Sequence, residues 1–359
     1  MKKGAPDRIG WKRLFCKRLN NANSWTARMR RLVASLLSAV CLSFAVATAT
    51  AQDNYPSRPI KVIVPYAPGG ATDIVARIVG DAVQKISGQG FVVLNKPGAF
   101  GMLALEEMAK SAPDGYTLMI GNVTTNAITP LLYANKLSIS YEKDVSVVTN
   151  LVDVPAFLAV TTANDFPPRT AAEFIDYAKK NPGTVRYGTV GVGSYPHYDM
   201  AYFAKRAGDL DLIALPNKNG ASGVIQDMLR GDVQAAFLNV ASTASLVQTG
   251  KLRPLAVVNH TRLPEFPDLP TMREIGYPDV GTMAWQALFA PGGTPKPILE
   301  ALFQTVSKAM QLPETIEKFN KQNFNLVPNK SLSDAKAWQA DEMTHWKSII
   351  GAVKIDIAQ

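Results

Sequence analysis

Glycine, proline and small polar residues gather in this chain where a strand gives way to a helix. Those residue types suit one task, which is presenting bare main-chain amides to an anion. The first such stretch is Pro65-Tyr66-Ala67-Pro68-Gly69-Gly70-Ala71-Thr72-Asp73. Gly69 and Gly70 carry no Cβ, so a ligand can come close to the backbone there. The N–H groups that open a helix have no intrahelical partner and lie at the positive end of its dipole. Thr72 or Asp73 offers the side-chain oxygen that an N-cap uses. Alone, this loop is as consistent with a tight turn whose glycines serve geometry only. The construction recurs, however, at Asn95-Lys96-Pro97-Gly98-Ala99-Phe100-Gly101 and, in a more polar form, at Gly121-Asn122-Val123-Thr124-Thr125-Asn126.

The elements that must hold these loops can be read on either side of them. Ile60-Lys61-Val62-Ile63-Val64 is a β-branched run that reads as a buried strand. After the loop, Ile74, Val75, Ile78, Val79, Ala82, Val83 and Ile86 recur at helical spacing. Phe91 to Leu94 is a second strand, Met102 to about Ser111 a second helix, and Thr117 to Ile120 a third strand. Strands alternating with helices imply right-handed crossovers and a parallel sheet. In such a sheet every strand-to-helix loop lies on the edge where the strands end, and ligands bind at that edge.

A second α/β series follows an apolar, β-branched stretch from Val145 to Thr161. Its strand-to-helix loops are Thr189 to Ser194 and Pro216 to Gly220, and Asn239 closes a further strand, Val233 to Leu238. Pro264 to Pro278 reads as surface loop with a short helix, Trp285 to Ala290 as a strand, and amphipathic helices complete the chain. The pattern predicts two α/β lobes with mainly parallel sheets flanked by helices: residues 52–155 with 285–359, and residues 156–284. Extended segments near 151–160 and 281–290 would join them. A cleft between the lobes would collect the polar loops, and two extended crossings would let it close.

Composition has to be read after setting aside the N-terminus. Arg30-Arg31, the apolar run Leu32 to Ala47 and the small-residue string ending at Ala51 form a secretory signal, with Met29 a candidate true start. Residues 1–31 hold ten of the 38 basic residues and one of the 29 acidic ones, so the rest of the chain balances 28 against 28. The formal charge of +9 therefore belongs to the leader and gives no reason to expect nucleic acid or an anionic membrane as partner. Both cysteines, Cys16 and Cys41, fall in the leader, leaving no disulfide or thiol nucleophile. About 300 residues exceed what one core usually serves, which agrees with two lobes.

Enzyme signatures are poor. Gly191-Val192-Gly193-Ser194-Tyr195 lacks the second glycine of a nucleophile elbow, and the order of a dinucleotide loop is absent. Three scattered histidines, His197, His260 and His345, form no metal constellation. No catalytic residue, metal or cofactor is expected.

The loop at 65–73 with Ala76-Arg77, the Asn95-Lys96-Pro97-Gly98-Ala99 loop, and Ala112-Pro113-Asp114-Gly115-Tyr116-Thr117-Leu118 resemble the Bug family. These are the extracytoplasmic solute-binding proteins of tripartite tricarboxylate transporters. Gly191-Val192-Gly193-Ser194 with His197, Gly231-Asp232-Val233, Gly250-Lys251-Leu252-Arg253 and Leu288-Phe289-Ala290-Pro291 continue the likeness through residues 55–359. The resemblance implies a periplasmic binding protein of the two-lobed, type II-like fold. It is expected to act as a monomer and to deliver a small organic carboxylate to membrane permease subunits. It assigns ligand contacts to Tyr66, Gly69, Gly70, Ala71 and Asp73, and to Pro97, Gly98 and Ala99; Phe100, which follows them here, is a further expected contact of this chain's own. Thr124 and Thr125 would line the wall, with Ser194, His197 and Asn239 reaching in from the second lobe. By its charge, Asp73 suits a cap better than a contact to another carboxylate.

Two departures bear on the ligand. Phe100-Gly101-Met102 stands where relatives continue Gly-Gly-Asn, which points to a narrowed pocket or an apolar ligand body. Leu238 stands where an Asp is frequent, which favours a dicarboxylate or aromatic carboxylate over an amino acid. A sensor presenting a bound carboxylate to a signalling receptor would need the same binding chemistry, and a periplasmic hydrolase is the remaining alternative.

Overall fold

The structure is a computed structural model in which residues 55–356 are described. The leader at 1–51, the alternative start at Met29 and both cysteines lie outside the described residues.

The first half of the fold runs β1 (Ile60–Val64), α1 (Ala71–Ser87), β2 (Phe91–Asn95), α2 (Met102–Ala109), β3 (Thr117–Asn122), two short helices α3 (Thr129–Leu132) and α4 (Tyr141–Asp144), and β4 (Val145–Asp153). The second half follows as β5 (Ala156–Thr161), α5 (Ala171–Lys180), β6 (Arg186–Thr189), α6 (Tyr195–Arg206), β7 (Ile213–Pro216), α7 (Gly220–Arg230), β8 (Ala235–Asn239), α8 (Val240–Gln248) and β9 (Leu252–Val258). The chain then returns through β10 (Gln286–Pro291), α9 (Lys296–Met310), α10 (Pro313–Asn320), β11 (Asn325–Leu326) and α11 (Leu332–Ala352).

These strands form two sheets, ordered β11-β4-β10-β3-β1-β2 and β7-β6-β8-β5-β9. The glycine loops leave from the parallel part of each: β1 pairs parallel with β2 and β3, and β6 with β7 and β8. The other pairings are antiparallel, so each sheet is mixed. The reason is the crossing. β4 leaves the first sheet over Val154 and Pro155, and β10 returns from the other side, so it must run against both β3 and β4. The two crossings touch, with Ala284 N–H donating to the Val154 carbonyl at 3.0 Å.

Helix α1 shows why the site is held firmly. Val75, Ala76, Val79, Ala82 and Val83 are buried, and burying one valine is worth about 1.5–3 kcal/mol. Gly80 lets the helix sit close on β2, since a Cβ there would lie 2.9 Å from the Phe91 Cβ. Gly88, at φ +75°, ends the helix in a left-handed cap. Helix α6 ties the halves together. Its Met200 and Phe203 enter the core of the second sheet, whereas Tyr198 joins that of the first and meets Trp346 of α11 at 6.1 Å between ring centroids.

Several local expectations change. The Pro264–Pro278 segment forms turns without a helix. Helix α8, directly after Asn239, is an element that the apolar spacing did not announce. The N-cap of α1 is Gly70, with no side-chain cap bond, so neither Thr72 nor Asp73 caps. Both sit within the first turn and serve other partners.

Candidate functional site

The first loop is organised by the Asp73 carboxylate. It accepts Gly69 N–H at 2.9 Å, two bonds from Arg77 at 3.0 Å each, and Asn95 Nδ2 at 3.0 Å. Burial pushes this carboxyl up, but those hydrogen bonds outweigh it and hold it below its ordinary value. Asn95 also donates to the Tyr66 carbonyl at 3.0 Å, joining the end of β2 to the loop. Asp73 is thus a scaffold group, and Gly69 N–H is engaged by it instead of being open to a ligand. The donors left without a partner come next in sequence. The first helical bond of α1 runs from Ile74 N–H to the Gly70 carbonyl, so the amides of Ala71, Thr72 and Asp73 precede the ladder. Gly70 is exposed beside them. Thr72 Oγ1 donates to Gln286 Oε1 at 2.7 Å, fixing the helix start to the returning strand β10.

The second loop is a left-handed turn. Gly98, Ala99, Phe100 and Gly101 all have positive φ, at +131°, +46°, +53° and +83°. Ala99 and Phe100 have side chains, so their backbone is strained, by about 1–2 kcal/mol each. The third loop holds the turn in place. The Phe100 carbonyl accepts from Thr129 Oγ1 at 3.2 Å and Thr125 Oγ1 at 3.4 Å, and a Cβ at Gly101 would run into Thr125. Tyr66 OH donates to Asn122 Oδ1 at 2.8 Å and lies 2.8 Å from Thr125 Oγ1. Burial pushes that phenol up to about 12, so Tyr66 stays neutral. Thr125 is fully buried and joins three loops rather than lining a wall, with Thr124 nearly as buried. Asn126 sits in a π-helical turn, Thr124–Ile128, with its buried amide packed on Gly121. Pro97, Gly98 and Ala99 are exposed.

Across from these loops, the second-sheet residues look after one another. The Gly191 carbonyl accepts from Thr189 Oγ1 at 2.9 Å, Ser194 Oγ at 2.7 Å and Ser194 N–H at 3.3 Å. His197 Nδ1 accepts Gly193 N–H at 3.2 Å, and burial lowers that imidazole to about 4, so it is neutral with its proton on Nε2. Asn239 Oδ1 accepts from Tyr195 OH at 3.0 Å.

The halves approach each other at these loops. The Phe100 ring reaches Gly191: a Cβ there would lie 3.0 Å from Phe100 Cε1. Tyr195 lies close enough to Tyr66 for that phenol to add to the rise that burial and Asp199 impose on its pKa. Asn95, Asn122, Thr129 and Tyr195 are the participants that the loop motifs alone did not assign. The sequence signal for Asn95 and Asn122 is an amide side chain where a strand runs into its loop, and the structure makes each the last residue of its strand. Tyr195 and Thr129 carried no such mark. A hollow lined by Arg169, Phe266, Pro270 and Tyr277 on the second sheet shares none of these residues.

The chemistry available is neutral: helix-start amides, hydroxyls and amide side chains around aromatic rings. An acid would be held without a salt bridge, on two mixed α/β halves of the periplasmic-binding-protein class. Residues 75–355 match the model of the tripartite tricarboxylate transporter family receptor, TctC, and the chain belongs to that family. It is 31% identical to the protein BugT of Bordetella pertussis, over 90% of this chain and 97% of that one. Among solved structures it is similar to Rpa4515 of R. palustris with adipate, with TM-score 0.75 and 30% identity over 83% of this chain and 97% of that one. It is also similar to MatC from Rhodopseudomonas palustris with bound malate, with TM-score 0.72 and 29% identity over 82% of this chain and all of that one. The family is one of solute-binding receptors.

Proposed function

We propose that the mature protein is a periplasmic receptor that captures a small organic carboxylate and hands it to the membrane permease of a tripartite transporter. The leader at 1–51 would direct export. The lobes are assigned as 52–155 with 285–359, and 156–284, and the ligand would lie in the cleft between them. One carboxylate would sit on the amides of Ala71, Thr72 and Asp73 beside Gly70, with the exposed Pro97-Gly98-Ala99 turn alongside. The acid's remaining part would face Phe100, Tyr195 and Asn239.

The observation that carries this reading is the division of labour in the first loop. Asp73 occupies Gly69 and fixes the loop from behind, and the next three amides remain at the positive end of a 17-residue helix. A dicarboxylate or an aromatic carboxylate is the favoured class, in keeping with the adipate and malate in the two related structures.

The test is thermal unfolding of the mature protein against mono-, di- and aromatic carboxylates. A ligand bound only by the folded state at a hundred times its Kd adds about 2.7 kcal/mol, a rise of several degrees. The absence of any shift across the panel at millimolar concentration would overturn the proposal.

A further inference from the structure

The Phe100 side chain spans from the first-sheet loops to the second-sheet loop, and its placement is costly enough to need a reason. Its backbone is left-handed at φ +53°, where glycine would be relaxed. Its carbonyl is fixed by the hydroxyls of Thr125 and Thr129. Its ring is stacked on Tyr133, with centroids 6.0 Å apart and planes at 11°, and its edge abuts Gly191. Gly191 is at φ +137°, so the opposing surface is bare backbone that the ring can reach. The backbone, the stacking partner and the facing glycine together leave the ring little freedom.

We infer that Phe100 determines ligand length in this cleft: its ring fills the space between the second loop and Gly191 that an extended acid would enter, so compact acids are accepted and long α,ω-diacids refused. This rests on the carboxylate reading given above. An acid anchored on the amides at the start of α1 extends past the neighbouring second loop, and there it meets a fixed aromatic wall. Rejection by a wall is steep, because one methylene too many in a fitted apolar pocket changes affinity by about ten- to two-hundredfold.

The experiment measures binding of succinate, glutarate and adipate by calorimetry to the native protein and to Phe100→Gly and Phe100→Leu. Glycine suits the left-handed position, so Phe100→Gly relieves backbone strain and is expected to fold. In native protein, affinity falls from succinate to adipate. Phe100→Gly raises the adipate-to-succinate affinity ratio about tenfold or more, with Phe100→Leu between. If native protein binds adipate as tightly as succinate, or if Phe100→Gly weakens all three acids equally, the assignment is overturned while the carboxylate reading stands. If none of the proteins binds any carboxylate of a wider panel, the carboxylate reading fails and the assignment with it. A cycle of Gly191→Ala with Phe100→Gly checks the contact independently of any ligand. The alanine destabilises native protein by more than it destabilises Phe100→Gly, whereas equal effects would contradict the ring's position.

Discussion

The loop after β1 and the loop after β6 are built from similar residues, yet they dispose of their polar groups in opposite ways. After β6, three donors converge on the Gly191 carbonyl, and the Gly193 amide goes to His197. Most of that loop's polar groups are thus turned on one another. After β1, one buried carboxylate, Asp73, gathers four donors at the back of the loop and leaves the helix-start amides without partners. On the reading proposed above, the difference separates the side that would anchor a ligand from the side that would face it. A loop that has used its donors can form a wall, and a loop that keeps them can hold charge.

The sharpest way to break this comparison is Gly70→Val. Gly70 has φ −78°, open to any residue, and a Cβ there meets only the Ala67 carbonyl, at 3.8 Å. Folding should therefore survive. Binding of the anchored acid should fall at least a thousandfold, about 4 kcal/mol, because the side chain stands beside the donors. Calorimetry with unchanged far-ultraviolet dichroism checks both halves, and full affinity in a folded variant would remove the first loop from the site.

The next prediction compares two buried carboxyls. Asp73 has four donors and is held below its ordinary pKa, whereas Asp199 of α6 has only Thr282, through N–H at 3.1 Å and Oγ1 at 2.6 Å. Burial raises Asp199 from 3.8 to about 7 despite those bonds. A raised acid binds its proton more tightly when folded, so stability is lost as pH rises from about 4 to about 7. Over that span the loss amounts to about 4 kcal/mol, at 1.36 kcal/mol per unit. His197 works the other way, losing stability as pH falls from 6.5 toward about 4. The difference between native and Asp199→Asn cancels the histidine. It should be small at pH 4 and favour the variant at pH 8. Melting curves that stay parallel over this range would show that Asp199 is ionised throughout.

Much of this was legible from the residues. The strand–loop–helix units around Gly69-Gly70 and Gly98 follow from local periodicity and turn chemistry, and the structure forms them where expected. The antiparallel strands β4, β5 and β10 were less legible, because a strand's partner is set by where the chain crosses, and apolar β-branched runs look alike in either direction. In the site, Tyr66 and Asp73 were readable because they flank the glycines. Their roles were not, since the Asp73–Asn95 and Tyr66–Asn122 bonds join residues far apart in sequence. Phe100 stood out as a large residue in a small-residue loop, but its reach to Gly191 depends on how the two sheets face each other.

A third test sharpens the anchor's side. Asp73→Asn keeps the shape but removes the charge and turns one acceptor into a donor facing Arg77 and Asn95. Losing those bonds to a buried charged acceptor should cost about 1–3 kcal/mol of stability. Because a lowered acid contributes its stability above its unfolded pKa, the deficit should be present at pH 7 and shrink as pH falls below about 4. A urea series at two pH values reads it. A deficit of equal size at pH 3 would mean that packing, and not charge, makes Asp73 matter.

The smallest effect belongs to the wall. Ser194 is fully buried, and its hydroxyl supplies one of three bonds to the Gly191 carbonyl. Removing it in Ser194→Ala leaves the carbonyl with Thr189 Oγ1 and Ser194's own N–H, so no buried acceptor is orphaned. One neutral hydrogen bond is worth about 1 kcal/mol, and that is the expected fall in stability. Affinity should fall less than about fivefold, because the residue positions Gly191 rather than holding the acid. The loss should also depend on Phe100, whose ring rests on Gly191. In a Phe100→Gly background the same substitution should leave affinity nearly unchanged. An affinity loss as large as that of Gly70→Val would instead make Ser194 a direct ligand contact, and the second loop would then share the anchoring that the spare amides of α1 assign to the first.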